Sequence, residues 1–145
     1  MRYSTRTRYG LRLLVNLASR PEGACVRLSE IAREEGISVK YLEQIVRALR
    51  PSGLLHSSRG ARGGYALARP ASEIFMDEVI ACLEGHVSPV ECLHPETACS
   101  RREICSTRDF WLEMDREIRN FLSGVPLARF VGQKSCPFPE EKRLS

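Results

Sequence analysis

Apolar residues in the first third of the chain recur at intervals of three and four, the spacing of helices with one buried face. A first helix is predicted from Ser4 or Thr5 to Ser19, with Leu13, Leu14, Leu17 and Ala18 on one stripe. A second, of about two turns, takes Ser29 as its N-cap, carries Glu30 in its first turn and stops at Gly36, a residue suited to the left-handed C-terminal position. A third starts at Ser38, buries Leu42, Ile45, Val46 and Leu49, and ends before Pro51. Only Gly36-Ile37-Ser38 separates the second and third helices, and so short a turn with a glycine matches a helix-turn-helix.

After Gly53 the period changes. Leu54 to Ser58 and Tyr65 to Ala68 read as two strands around Arg59-Gly60-Ala61-Arg62-Gly63-Gly64, a basic, glycine-rich wing. A nucleotide-binding glycine loop is excluded, because a strand and not a helix N-terminus follows it. Beyond Pro70 a short helix is expected from Asp77 to Leu83, ending at Gly85. His86 to Cys105 contains Pro89, Pro95 and three cysteines but no apolar period, so it is a loop ordered by something other than a core. A long helix is then expected from Ser106, with Asp109 completing an approximate capping box and Trp111, Met114, Ile118, Phe121 and Leu122 on one stripe. No later helix of comparable length can cover that stripe, which predicts packing against a second copy in a homodimer.

A short helix over Leu127 to Val131 and a polar, proline-containing, mobile tail complete the reading. The expected class is mainly α: a winged helix-turn-helix over residues 1–70, a cysteine-bearing loop and long dimerisation helix over 71–132, and a flexible tail over 133–145.

Composition narrows this picture. The chain has 145 residues, 43% hydrophobic and 28% charged, enough to bury a core without a disulfide framework, so its six cysteines need another explanation. Leu11 to Ala18 is broken by Arg12 and Asn16 and is not a signal peptide, and no apolar run is long enough to span a membrane. The expected location is the cytoplasm, where clustered thiols bind metal or do redox chemistry more often than they form bridges.

Charge is unevenly spread. Residues 1–70 hold 13 Lys and Arg against 5 Asp and Glu, whereas residues 71–145 hold 9 against 13. The basic half is where a polyanion would bind, and double-stranded promoter DNA is the expected partner. On the third helix Lys40, Glu43, Gln44 and Arg47 lie opposite the buried face, with Ser38 and Tyr41 at its start. The N-terminal part of such a helix meets base edges in the major groove. There Gln44 suits adenine, Arg47 guanine or phosphate, and Glu43 cytosine. In the wing, Arg59 and Arg62 suit a narrow minor groove.

Cys92, Cys99 and Cys105 put three thiols into one short segment, separated by gaps of six and five residues. Thiolates are soft ligands suited to an iron-sulfur cluster or to zinc. With no Cys-x-x-Cys, a zinc ribbon or thioredoxin-like site is disfavoured. His94, His86, Glu96, Asp109, Cys136 or a residue of a second subunit could supply a fourth ligand; Cys82 reads as a core thiol and Cys25 as incidental. Structural zinc or a thiol-disulfide switch is the alternative use of the loop. No flavin or nicotinamide fingerprint is present, and the chain is not expected to be an enzyme.

Met1-Arg2-Tyr3-Ser4 with Arg8-Tyr9-Gly10, Gly36-Ile37-Ser38 with Tyr41-Leu42-Glu43-Gln44, the wing from Arg59-Gly60 to Gly63-Gly64-Tyr65, and the three-cysteine loop before Trp111 together resemble the iron-sulfur cluster regulators, the IscR-like and NsrR-like bacterial winged-helix repressors. The resemblance covers residues 1–132. It implies a homodimer on a pseudo-palindromic promoter site, with a 2Fe–2S or 4Fe–4S cluster held by Cys92, Cys99 and Cys105 and sensing cluster supply, nitric oxide or redox state. The chain departs from the pattern in three places. Arg108 stands where IscR-like members have a histidine ligand, Arg8 where NsrR-like members have an aspartate, and the first cysteine gap is six residues where IscR-like members usually have five. The fourth ligand and the cluster type therefore stay open.

Overall fold

Ser4 stops the extended N-terminal segment and starts helix α1 (Thr5–Ala18) by accepting a hydrogen bond from the Thr7 N–H through its hydroxyl, at 3.2 Å. The computed structural model describes residues 2–133; the expected mobile tail and Cys136 lie outside the described residues from residue 134 onward.

Helix α2 (Leu28–Glu35) begins earlier than a Ser29 cap would allow. Arg27 occupies the cap position without a side-chain bond, and Ser29 sits inside the first turn. The cause is tertiary: Val26 is held in an isolated antiparallel bridge to Tyr65, with both N–H···O bonds at 2.8 Å, so the chain is extended at Val26 and helical directly after Arg27. Gly36 ends α2 at φ +64°, a left-handed conformation that costs a glycine little.

Helix α3 (Val39–Leu49) is capped by Ser38 and buries Leu42, Ile45, Val46 and Leu49 as its spacing dictates. A 3₁₀ turn over Arg50–Ser52 carries Pro51 in its first positions, where the missing N–H costs nothing, and leads into the wing. Strands β1 (Leu55–Ser58) and β2 (Gly64–Leu67) pair antiparallel with Leu55 opposite Leu67 and Ser58 opposite Gly64.

Helix α4 (Met76–Glu84) follows, with Val79 and Leu83 fully buried. Between Gly85 and Thr107 the only regular element is a 3₁₀ turn over Glu91–Leu93. Helix α5 (Arg108–Ser123) starts with Thr107 at the cap position and no side-chain cap, so the expected box between Ser106 and Asp109 does not form. Ser106 lies one residue too early, and the Thr107 hydroxyl turns to the Cys105 sulfur at 3.5 Å instead of to the helix. A 3₁₀ turn over Leu127–Phe130 takes the place of the expected last helix.

One apolar core joins these parts. Leu13 and Leu14 of α1, Leu42 and Leu49 of α3, Leu83 of α4 and Leu127 are all fully buried within one cluster, which draws on both sides of residue 70. Helix α5 is different, because none of its residues is buried. Of its expected stripe, Met114, Ile118, Phe121 and Leu122 line an open apolar groove of about 550 Å³ against Leu11 of α1 and Ile80 of α4, Phe121 remaining 64% exposed, while Trp111 lies outside that lining. Among the described residues no helix is long and apolar enough to cross a membrane.

Candidate DNA interface and cysteine loop

Ser38 has a structural task at the start of α3, since its hydroxyl accepts from the Tyr41 N–H at 3.2 Å. Beyond it, Lys40, Glu43, Gln44 and Arg47 are all exposed, on the side of α3 away from its buried leucines. Tyr41 is placed differently. It is half-buried, with its ring edge-on to Tyr9 of α1 at 5.8 Å between centroids, and the Arg12 guanidinium lies 5.3 Å from the centre of the Tyr9 ring. Sequence reasoning quoted Tyr9 only within the Arg8-Tyr9-Gly10 resemblance and not as a partner of Tyr41, because an aromatic on α1 carries no sign of which later helix it will brace.

At the wing, Arg59 and Arg62 are exposed on either side of Ala61. The hairpin lies close against the segment before α2: a Cβ on Gly64, whose φ is +151°, would stand 2.4 Å from the Val26 carbonyl oxygen. Arg27 donates a hydrogen bond to the Ala61 carbonyl at the wing tip, a contact that nothing in local sequence announces.

Three of the five acids of the basic half, Glu30, Glu34 and Glu35, are taken up in surface ion pairs. Arg12 pairs with Glu35 at 3.0 Å, and Arg20 pairs with Glu30 at 3.2 Å and Glu34 at 2.5 Å. Asn16 donates to Glu34 and Glu35 at 2.8 and 3.0 Å. The Asn16 hydrogen bond and then Arg20 hold the Glu34 carboxyl below its usual range, and Glu34 in turn raises Arg20. These pairs fasten α1 to α2. Among the described residues, Lys40, Arg47, Arg50, Arg59 and Arg62 make no ion pair, so α3 and the wing keep their positive charge for an external anion.

Cys92, Cys99 and Cys105 are all half-buried free thiols. Cys92 and Cys99 line one cavity of about 350 Å³, together with His94, Arg102 and Arg108. Cys105 is outside that lining. Its thiol is lowered from the ordinary range by the Thr107 hydroxyl first, then by the backbone N–H groups of Thr107 and Arg108 at the start of α5, against slight burial. Among the described residues no three His, Cys, Asp or Glu side chains converge as a metal site.

In kind, the donors suit a cluster: three soft thiols lie in a segment with little regular hydrogen bonding to resist rearrangement, and two already share a cavity. Of the candidate fourth ligands, His94 lines that cavity, its Nδ1 accepting from the Glu96 N–H at 3.3 Å, and His86 stacks edge-on to it at 4.7 Å. Glu96 and Asp109 are exposed. Arg108 lines the cavity as a cation and cannot readily ligate iron, and Arg8 faces the groove between α1 and α5. Cys82 packs on the core with its thiol donating to the Ala48 carbonyl at 3.2 Å, and Cys25 is half-buried in the loop before α2.

Comparison with known proteins gives a consistent answer. A family model, Rrf2, described as an iron-dependent transcriptional regulator, matches residues 3–133. Protein rrf2 of Nitratidesulfovibrio vulgaris strain Hildenborough is 39% identical over 138 residues, covering 94% of this chain and 92% of its own length. Among solved structures, CymR (YrzC), the global cysteine regulator of B. subtilis, superposes with a TM-score of 0.71 at 34% identity, over 88% of this chain and 94% of that one. IscR of T. potens superposes with a TM-score of 0.69 at 33% identity, over 88% and 84%.

Proposed function

Because the chain belongs to the Rrf2 family of transcriptional regulators and is a DNA-binding regulator of the winged-helix type, we propose that it is a cytoplasmic, homodimeric repressor whose promoter affinity is set by an iron-sulfur cluster held by Cys92, Cys99 and Cys105. The observation that carries the sensing part is the shared cavity of Cys92 and Cys99 inside an irregular segment that also holds Cys105. When bound, a cluster supplies iron and sulfide that react with oxidants and nitric oxide.

In this reading residues 1–70 read DNA and residues 71–132 sense and dimerise. Ser38, Lys40, Tyr41, Glu43, Gln44 and Arg47 present α3 to the major groove, and Arg59 and Arg62 present the wing to the minor groove. Arg102 and Arg108 offset the negative charge of thiolates in the cavity. Cys92, Cys99 and Cys105 would hold such a cluster in the segment at the base of α5. The two recognition helices of a dimer must match half-sites about 34 Å apart, so a change at the base of α5 alters how well they fit. A coupling of about 1–3 kcal/mol is enough to switch a promoter.

A second reading has one observation in its favour. No three ligating side chains converge among the described residues, and a similar solved protein is a global cysteine regulator; in this reading the cysteines work without a cluster, through a disulfide switch or structural zinc. Anaerobic purification followed by visible absorption and assays of iron, acid-labile sulfide and zinc on one sample separates the two. Iron and sulfide with a brown chromophore support the cluster; a colourless protein, with zinc or without metal, supports the second reading.

A further inference from the structure

The wing is short. Two strands of four residues form a ribbon that is marginal in water without outside support. Its base has that support in the bridge between Val26 and Tyr65, where Gly64 allows the close approach. Its tip, residues 59–63, receives one side-chain hydrogen bond from outside the hairpin among the described residues: Arg27, directly after Val26, donates to the Ala61 carbonyl. Ala61 stands between Arg59 and Arg62, so the tether acts at the midpoint of the two cations expected to enter DNA. Within the tip itself, only the Gly63 N–H bond to the Gly60 carbonyl at 3.0 Å closes the turn.

We propose that Arg27 is a positioning residue for DNA recognition, tethering the wing tip so that Arg59 and Arg62 are presented in one fixed geometry. The inference rests on the reading that the wing arginines contact DNA. A planar guanidinium suits the task, since one N–H can hold the carbonyl while the charge stays exposed. Arg27 is exposed and outside the core, so its removal leaves the fold intact.

The test is a double-mutant cycle on the full chain, with dissociation constants measured for a duplex enriched by the wild-type protein from a randomised pool. Arg27→Ala is expected to weaken binding about fivefold, and to add less than about twofold when Arg59 and Arg62 are already alanine, because its effect passes through them. An equal loss in both backgrounds, or no loss from Arg27→Ala alone, overturns the proposal. Unchanged affinity of the Arg59→Ala, Arg62→Ala variant instead removes the wing reading, and the proposal with it. Amide exchange of the DNA-free protein gives an independent readout. Arg27→Ala should speed exchange at Gly63 while leaving α1 and α3 unchanged, and equal protection at Gly63 in both proteins overturns the tether.

Discussion

Phe75 pairs with Pro126 in an isolated antiparallel bridge, although α4, the cysteine segment and α5 all lie between them. Beside the bridge the Met76 N–H reaches the Val125 carbonyl at 2.9 Å and the Leu127 N–H reaches the Ile74 carbonyl at 2.7 Å. The chain therefore returns to its point of departure, and fully buried Leu127 seals the return into the common core. Leu127→Ala is expected to cost about 2–5 kcal/mol, in one urea transition reported alike by far-ultraviolet circular dichroism and Trp111 fluorescence. Two separate transitions would mean that the two halves do not share a core.

Phe121 is 64% exposed and lines the open groove beside α1 and α4, so the proposed homodimer would cover it. Phe121→Ala should leave the stability of the isolated chain within about 0.5 kcal/mol while moving the sedimentation profile from dimer to monomer. A dimer that persists unchanged would place the interface elsewhere.

The sensing and reading parts should separate by substitution. Arg59→Ala is expected to weaken DNA binding about tenfold, as the loss of one good groove contact does, with the absorption spectrum unchanged. Cys99→Ala should abolish the chromophore while the melting temperature of the metal-free protein stays the same, because Cys99 is not in the core cluster. Unfolding of that variant would make the site structural.

Much of this was legible in the chain. The stripe Leu42, Ile45, Val46 and Leu49 located α3 and its inner face, Ser38 and Gly36 marked the turn, and the glycines with Arg59 and Arg62 marked the wing. Local pattern failed where a distant partner decided the outcome. Ser29 is a good cap by type, but the Val26–Tyr65 bridge starts α2 before it. The three cysteines are evident by spacing, but only the folded path shows that Cys92 and Cys99 share a cavity while Cys105 stands apart at the start of α5. Tyr9 against Tyr41, Arg27 against Ala61 and Phe75 against Pro126 are contacts between segments that carry no mutual mark in sequence.

Gly64→Ala tests the close approach at the base of the wing. A Cβ there meets the Val26 carbonyl oxygen at 2.4 Å and the Arg27 nitrogen at 2.9 Å, both backbone atoms that cannot swing aside. Calorimetry should show a loss of about 1–3 kcal/mol, with DNA binding impaired as well. A stable variant with full affinity would mean that the hairpin does not depend on Val26.

Glu84 predicts an acid-sensitive contact. Partial burial works against its ionisation, but the Ser4 N–H, the Ser4 and Thr7 hydroxyls and Arg6 together hold its pKa below the ordinary carboxylate value. A folded pKa lower than the unfolded one means that the contribution is present above the unfolded value and is lost as pH falls through the folded one. Stability of the wild type should therefore drop more steeply than that of Glu84→Gln as pH is lowered below the ordinary carboxylate range, measured by urea midpoints across the acid limb. Parallel curves would show that the carboxylate does not hold the start of α1.

The pairing of Arg12 and Arg20 with the glutamates of α2 has a consequence for how binding responds to its surroundings. Among the described residues, Lys40, Arg47, Arg50, Arg59 and Arg62 are left without an ion pair, and in the proposed reading they would meet phosphates. A dimer that engages all of them releases about 0.9 condensed counterions per phosphate contact, giving a slope near −9 for log affinity against log salt concentration. Affinity would then fall by about 500-fold for each doubling of monovalent salt, so ionic strength would weigh on binding alongside any signal carried by the thiols.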